Sequence, residues 1–319
     1  MRKNVLIVLA TAILTLVMQY LVTHYILPEK EEVRVKEVRK SGYKMINPVL
    51  DYYELEQSLV SETKSMQSKI TGYIDKVKSE GKVEMVSVYY RDLNNGPWLG
   101  IGEDEHYSPA SLLKVPFLIA ALKQAEDDPT FLDKKIKYES NIDNNKQNIV
   151  DGTQLEVGKE YTIRELLEYM IIHSDNDAKN LLLMNLWKPV FHDVFYDLGI
   201  PIENYTDADN FLTVKEYASY FRILYNATYL NKNMSEQALL LLSKTNYNNG
   251  IVAGVPSGVV VAHKFGERFF PQQNIKQLHD CGIVYKPGQP YLICVMTRGH
   301  DYPVMAKVIA DISAIVYNN

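Results

Sequence analysis

Only two cysteines occur in the 319 residues, Cys281 and Cys294, and their spacing suits no metal. The seven histidines are scattered, with no His-x-His and no His-Glu-x-x-His arrangement, so no zinc site is expected. Excess positive charge is missing as well. Lys and Arg number 34 against 39 Asp and Glu, a net charge of −5, which leaves no basic field for a nucleic acid. No internal repeat, low-complexity tract or cofactor motif is found. What remains is ordinary globular composition, 46% hydrophobic and 23% charged, long enough for one large domain or two small ones.

The N-terminus differs from the rest. Val5 to Leu27 runs without Asp, Glu, Lys or Arg. As a helix its 23 residues would span roughly 34 Å, enough for a bilayer core. No small-x-small cleavage site closes it and no cysteine there could take a lipid, so residues 1–27 are expected to be an uncleaved single-pass anchor. Glu29 to Lys40 alternates charges around three valines and reads as part of a solvated stalk, residues 28–45. Lys30, Arg34, Lys36, Arg39 and Lys40 on the far flank outnumber Arg2 and Lys3, so a literal positive-inside count favours a cytoplasmic C-terminus.

Beyond the stalk, Asp51 to Val77 reads as helix and Lys82 to Asp92 as a strand, with a turn at Asn94-Asn95-Gly96-Pro97 closing a hairpin. Capping boxes at Thr162–Glu165 and Thr213–Glu216 open two amphipathic helices. Strand-like runs return from Val259 to Gly299, and Val304 to Tyr317 reads as a last helix. Strands at both ends enclosing a helical middle must pair in one sheet. The expected fold is α/β: a sheet part of about 46–110 and 246–319, and a helical lobe of about 111–245.

Tyr107 to Leu122, "YSPASLLKVPFLIAAL", is an apolar run that carries a lysine, Lys114, three residues after Ser111. Ser-x-x-Lys alone says little: Ser41/Lys44, Ser61/Lys64 and Ser79/Lys82 repeat it in polar sequence, where both residues are simply solvated. Only the fourth lies in an apolar context. If Ser111 opens a helix, Lys114 stands one turn later on the same face. Burial disfavours an ammonium, and a neutral lysine can take the serine proton. The bland alternative is a capping serine beside a snorkelling lysine. Two further motifs follow in order. Ser174-Asp175-Asn176 lies between two helices, where alone it would be a capping cluster. Lys264-Phe265-Gly266 lies on a β-branched strand; Lys40-Ser41-Gly42 and Lys286-Pro287-Gly288 are decoys of that form.

With these motifs in this order, the chain from about Val83 onward resembles the penicillin-recognising serine hydrolases, most closely the class A β-lactamases. Pro109-Ala110 before the serine, "MIIHSDNDAKNLLL", "GIVAGVP" and "HDCGIVY…PYLICVMTRG" belong to the same likeness. The resemblance implies an antiparallel sheet flanked by helices plus a mostly helical lobe, residues 46–319. It implies Ser111 as the acylated nucleophile, Lys114 as its base and Ser174 as a proton relay to the leaving nitrogen. Asn176 would hold the substrate amide side chain and Lys264 would attract the substrate carboxylate. Gly266 would let the substrate lie along the strand, and the Glu267 amide would complete an oxyanion hole. No cofactor or metal is required. The implied partner is a β-lactam or a peptidoglycan stem peptide ending in D-alanyl-D-alanine. Such a substrate lies outside the membrane, so the catalytic domain is expected to be extracytoplasmic, against the charge count, and monomeric.

Two departures stand out. Phe265 replaces the usual hydroxyl residue of the third motif, losing a charge-assisted bond worth roughly 1.5–3 kcal/mol. Arg268 shares strand parity with Lys264 and could compensate. The segment Leu198 to Phe211, where the class A enzymes carry Glu-x-x-Leu-Asn, has no such motif; its acids are Glu203, Asp207 and Asp209, which read as turn and capping residues. Acylation without rapid deacylation is therefore expected, and the alternative is a non-catalytic descendant that binds wall peptides or senses β-lactams. If the turn Lys286-Pro287-Gly288-Gln289 is symmetric, Cys281 and Cys294 face each other across a hairpin. Two buried thiols are expected, with a cross-strand disulfide as the alternative.

Overall fold

The computed structural model describes residues 14–15, 17–18, 35–39, 42–54, 59–94, 96–140, 149, 154–200 and 210–319. Nearly all of the expected anchor, and Glu203, Asp207 and Asp209, lie outside them. Among the described residues no helix is long and apolar enough to cross a membrane.

Five strands form one antiparallel sheet: β3 (Met85–Asp92), β4 (Trp98–Ile101), β9 (Val261–Phe270), β10 (Ile275–Val284) and β11 (Tyr291–Gly299). Their order is β4-β3-β11-β10-β9, so β9 is an edge. The strands read as continuous apolar runs because both faces are covered. Side chains alternate between faces. Val86, Val88, Tyr90, Leu278, Ile293 and Val295 go to one core; Tyr89, Cys281, Ile283, Leu292, Cys294 and Met296 go to the other.

The first core is closed by α1 (Leu59–Ser79) and the C-terminal helix α8 (Tyr302–Tyr317). Met66, Ile70, Ile74 and Val77 of α1, and Met305, Ile309, Ile312 and Val316 of α8, recur at helical spacing and face inward. The expected helix from Asp51 therefore begins eight residues later; Val49–Glu54 is instead a strand, β2. It pairs with β1 (Val35–Arg39), so the expected stalk carries a β-strand rather than only solvated chain.

The second core lies between the sheet and the helical lobe. A 3₁₀ turn, Ala110–Leu113, leads into α2 (Lys114–Asp127), which is buried on almost every side. Around it stand α3 (Ile163–Ile172), α4 (Asn176–Asn185), α5 (Lys188–Asp197), α6 (Val214–Asn226) and α7 (Lys232–Leu242). Both capping boxes form, Thr162 with Glu165 and Thr213 with Glu216. Short two-stranded pairs join β5 (His106–Tyr107) to β8 (Leu212–Thr213), and β6 (Lys135–Lys137) to β7 (Glu160–Thr162).

A disulfide within the sheet and a polar clamp on the N-terminal segment add to this packing. Cys281 and Cys294 are directly opposite in the β10–β11 register and are joined by a disulfide, not left as the two thiols expected. The intervening turn is symmetric, with Gly288 supplying a left-handed residue at φ 75°. Residues 44–46 enter the fold by donating three successive backbone N–H groups to the Glu236 carboxylate at 2.9–3.0 Å. The Tyr285 hydroxyl donates to the Met45 carbonyl at 2.9 Å, and Met45 and Ile46 are buried.

Candidate active site

The site lies where the 3₁₀ turn, the α3–α4 junction and the edge strand β9 meet. Ser111 sits on the turn, not within the helix it was expected to open; α2 starts at Lys114. A 3₁₀ turn eclipses residues three apart. That sets the two side chains together, with Lys114 Nζ 3.2 Å from Ser111 Oγ. Ala110, immediately before the serine, takes a left-handed φ of 48°. A non-glycine residue in that region costs of order 1–3 kcal/mol and needs surroundings that hold it.

Those surroundings are polar and buried. Ser108 N–H donates to Gln277 Oε1 at 2.9 Å, and its carbonyl is 3.1 Å from His279 Nε2. Burial drives His279 down to about 3, so the ring is neutral and Nε2–H is the donor. Tyr217 of α6 donates its hydroxyl to the Leu112 carbonyl at 2.9 Å. Gly266 on β9 packs against the same turn: a Cβ there would meet Leu112 Cγ and the Pro109 carbonyl at 3.0 Å. A side chain at this position would crowd the 3₁₀ turn, a packing role for the glycine that the sequence did not suggest.

The second serine faces the first lysine. Ser174 closes α3 with a left-handed φ of 57°, and Asp175 caps α4 by accepting from Ala178 N–H at 2.7 Å. Burial pushes the Asp175 carboxyl up. Ser174 Oγ lies 3.1 Å from Lys114 Nζ, and Asn176 Oδ1 lies 2.7 Å from it; the Ser174 carbonyl is a third partner. From the other side Lys264 Nζ donates to Ser174 Oγ at 3.0 Å. Ser174 therefore stands between two lysines that are 1% and 0% exposed.

Lys264, Gly266 and Arg268 share the lobe-facing side of β9, and Cys281 is directly opposite Lys264. Lys264 Nζ also donates to the Phe265 carbonyl at 2.9 Å. Burial pulls Lys264 down from 10.5 to about 7, although Asp280 and Glu267 favour its charge. Asp280 is buried with His263, 2.8 Å from its Nδ1, and accepts from Ile251 N–H at 2.9 Å.

Ser111, Lys114, Ser174, Asn176, Lys264 and Gly266 are thus brought to one place, with Glu267 next along β9. Arg268 leans elsewhere, its guanidinium 5.6 Å from the centre of the Phe270 ring. Sequence reading missed Tyr217, Gln277 and His279, which carry no motif and reach the turn from distant elements. The polar residues alternating in "KQLHD" on an otherwise apolar strand were the only signal.

Residues 67–319 match the model of the beta-lactamase enzyme family. The extended-spectrum beta-lactamase PER-1 of Pseudomonas aeruginosa is 23% identical over 239 residues, 67% of this chain and 75% of that protein. Beta-lactamase VEB-1 of Pseudomonas aeruginosa is 24% identical over 270 residues, 75% and 86% of the two chains. In three dimensions the TLA-3 extended-spectrum beta-lactamase superposes with a TM-score of 0.69 at 23% identity, covering 80% of this chain and 98% of that one. A mutant of PBP-A, solved as an acyl-enzyme complex with penicillin-G, gives 0.65 at 22% identity, covering 80% and 96%.

Proposed function

This chain belongs to the beta-lactamase enzyme family, and on that premise we propose that it is a serine acyl-transfer enzyme acylated at Ser111 by a β-lactam or a D-alanyl-D-alanine-like peptide. The observation that carries this reading is the buried Lys114 amine, 3.2 Å from Ser111 Oγ. A neutral amine has two N–H donors and one lone pair. The Ser174 carbonyl and Asn176 Oδ1 can only accept, so they take the two N–H groups. The lone pair then faces the Ser111 and Ser174 hydroxyls, either of which can donate, and in this reading it serves Ser111. Lys114 takes that proton, Ser111 Oγ attacks the carbonyl carbon, and the backbone N–H groups of Ser111 and Glu267 receive the developing oxyanion. Ser174 passes a proton to the leaving nitrogen, its hydroxyl held by Lys264 and lying 3.1 Å from Lys114 Nζ.

Deacylation is slow in this reading. Clearing the ester needs a base beside a water, and the sequence from Leu198 to Phe211 lacks the Glu-x-x-Leu-Asn glutamate. The domain is placed outside the cell membrane on an N-terminal anchor. The Cys281–Cys294 disulfide supports that side, since such bonds persist in oxidising compartments. Proteolysis of intact cells should remove the domain; full protection contradicts the placement. The enzymatic reading is tested by peptide mass mapping after incubation with penicillin G. An adduct on Ser111, absent from Ser111→Ala, is expected. No adduct on the wild type favours the second reading, a non-catalytic binding descendant, for which Phe265 against Lys264 is the supporting feature.

A further inference from the structure

The third motif bears on what the site recognises beside the scissile bond. By strand parity the Phe265 side chain starts on the α1/α8 face of β9, and the outer side of the strand is covered where Thr245 Oγ1 donates to the His263 carbonyl at 2.8 Å. The Phe265 ring centre lies 4.0 Å from Lys264 Nζ, and the ring stacks on Tyr247 with centres 4.4 Å apart and planes at 30°. Phe265 is 1% exposed. An ammonium has three N–H donors. One of Lys264's goes to Ser174 Oγ, one to the Phe265 carbonyl, and the third direction is filled by the Phe265 ring. The face of that ring is the negative pole of its quadrupole, so it holds the ammonium and repels an arriving carboxylate. Burial adds to this by leaving Lys264 only partly charged near neutral pH. Arg268, the next cation on that face of the strand, rests over Phe270, on the side away from Lys264.

We infer that this site does not read a carboxylate next to the scissile nitrogen, and that its acyl donor is uncharged there, an ester- or amide-capped lactam or peptide. The inference rests on the acyl-transfer reading above and leaves its step unchanged. The bond from Ser111 Oγ to the carbonyl carbon forms, the carbon–nitrogen bond breaks, and the serine proton ends on that nitrogen. The neighbouring carboxylate is a spectator.

The probes are penicillin G and its methyl ester, each incubated with the full chain, and the readout is the rate of adduct formation by intact mass. A working anion receptor favours the free acid by about tenfold to hundredfold, the worth of a charge-assisted hydrogen bond. Here the two rates should agree within about threefold. Phe265→Thr, which restores a hydroxyl and uncovers the ammonium, should shift the ratio toward the free acid by about tenfold. A free acid ahead by about tenfold on the wild type overturns the inference, while leaving the acyl-transfer reading intact; Arg268→Ala then shows whether Arg268 supplies the cation. A folded Phe265→Thr chain with an unchanged ratio also overturns it. If that variant does not fold, the wild-type ratio alone decides. No adduct from either probe sinks the acyl-transfer reading and this inference with it.

Discussion

The 3₁₀ turn and strand β9 each bring a buried lysine to Ser174, and the two lysines are surrounded differently. Lys114 meets the Ser174 carbonyl, Asn176 Oδ1 and two hydroxyls, one of them Ser111 Oγ, for which the proposed reading makes it the base. Lys264 meets one hydroxyl, a backbone carbonyl and an aromatic face, a set that closes it off while burial pulls it down to about 7. In the proposed reading the difference teaches that the acylating half of such a site and its anion-recognising half are separable. The first is built from a turn and a helix junction, the second from one position on an edge strand.

The largest effect should separate the two lysines. Lys114→Met should slow adduct formation by about 10²–10⁴-fold, the contribution typical of a placed general base. Lys264→Met should slow it by roughly tenfold, because only the relay through Ser174 is weakened. Equal losses in rapid-mix mass measurements break the comparison. Removing the disulfide beneath Lys264 comes next. Cys281→Ser with Cys294→Ser should lower unfolding stability by about 3 kcal/mol in urea titrations, as expected for a short closed loop. Glu236→Ala removes the acceptor of three backbone N–H groups and should cost about 1–3 kcal/mol by the same titration, with the acylation rate unchanged.

The smallest effect is a pH slope. Lys264 is harder to protonate in the folded chain, at about 7, than at its ordinary 10.5. Between those values the unfolded chain binds more protons, so this residue makes stability rise with pH across that window. Below about 7 its full penalty is present. Lys264→Met should flatten the slope between pH 7 and 10.5 in urea midpoints; an unaltered slope contradicts the burial argument.

Part of this was legible in the chain. Ser111 and Lys114 could be singled out because a charge inside an apolar run needs a reason, and three decoy pairs lacked that context. The shared face of Lys264, Gly266 and Arg268 followed from strand parity, and the register of Cys281 against Cys294 from a symmetric turn. The bond between those sulfurs did not follow, because register permits a disulfide without requiring one. Tyr217, Gln277, His279 and Glu236 were illegible for a common reason. Each acts by tertiary approach, contacting backbone more than a hundred residues away, and leaves no spacing to read. The stacking of Phe265 on Tyr247 was likewise hidden, since it too is a tertiary approach with no spacing to read.

The central claim is that Lys114 makes Ser111 nucleophilic in a site that clears its ester slowly. A stopped-flow trace of nitrocefin with the purified chain tests both halves at once. A burst of one equivalent of opened lactam per chain, followed by a nearly flat line, is the predicted result, and the burst should vanish in Ser111→Ala. Steady linear hydrolysis at the rate of a resistance enzyme, or no opening at all, contradicts it.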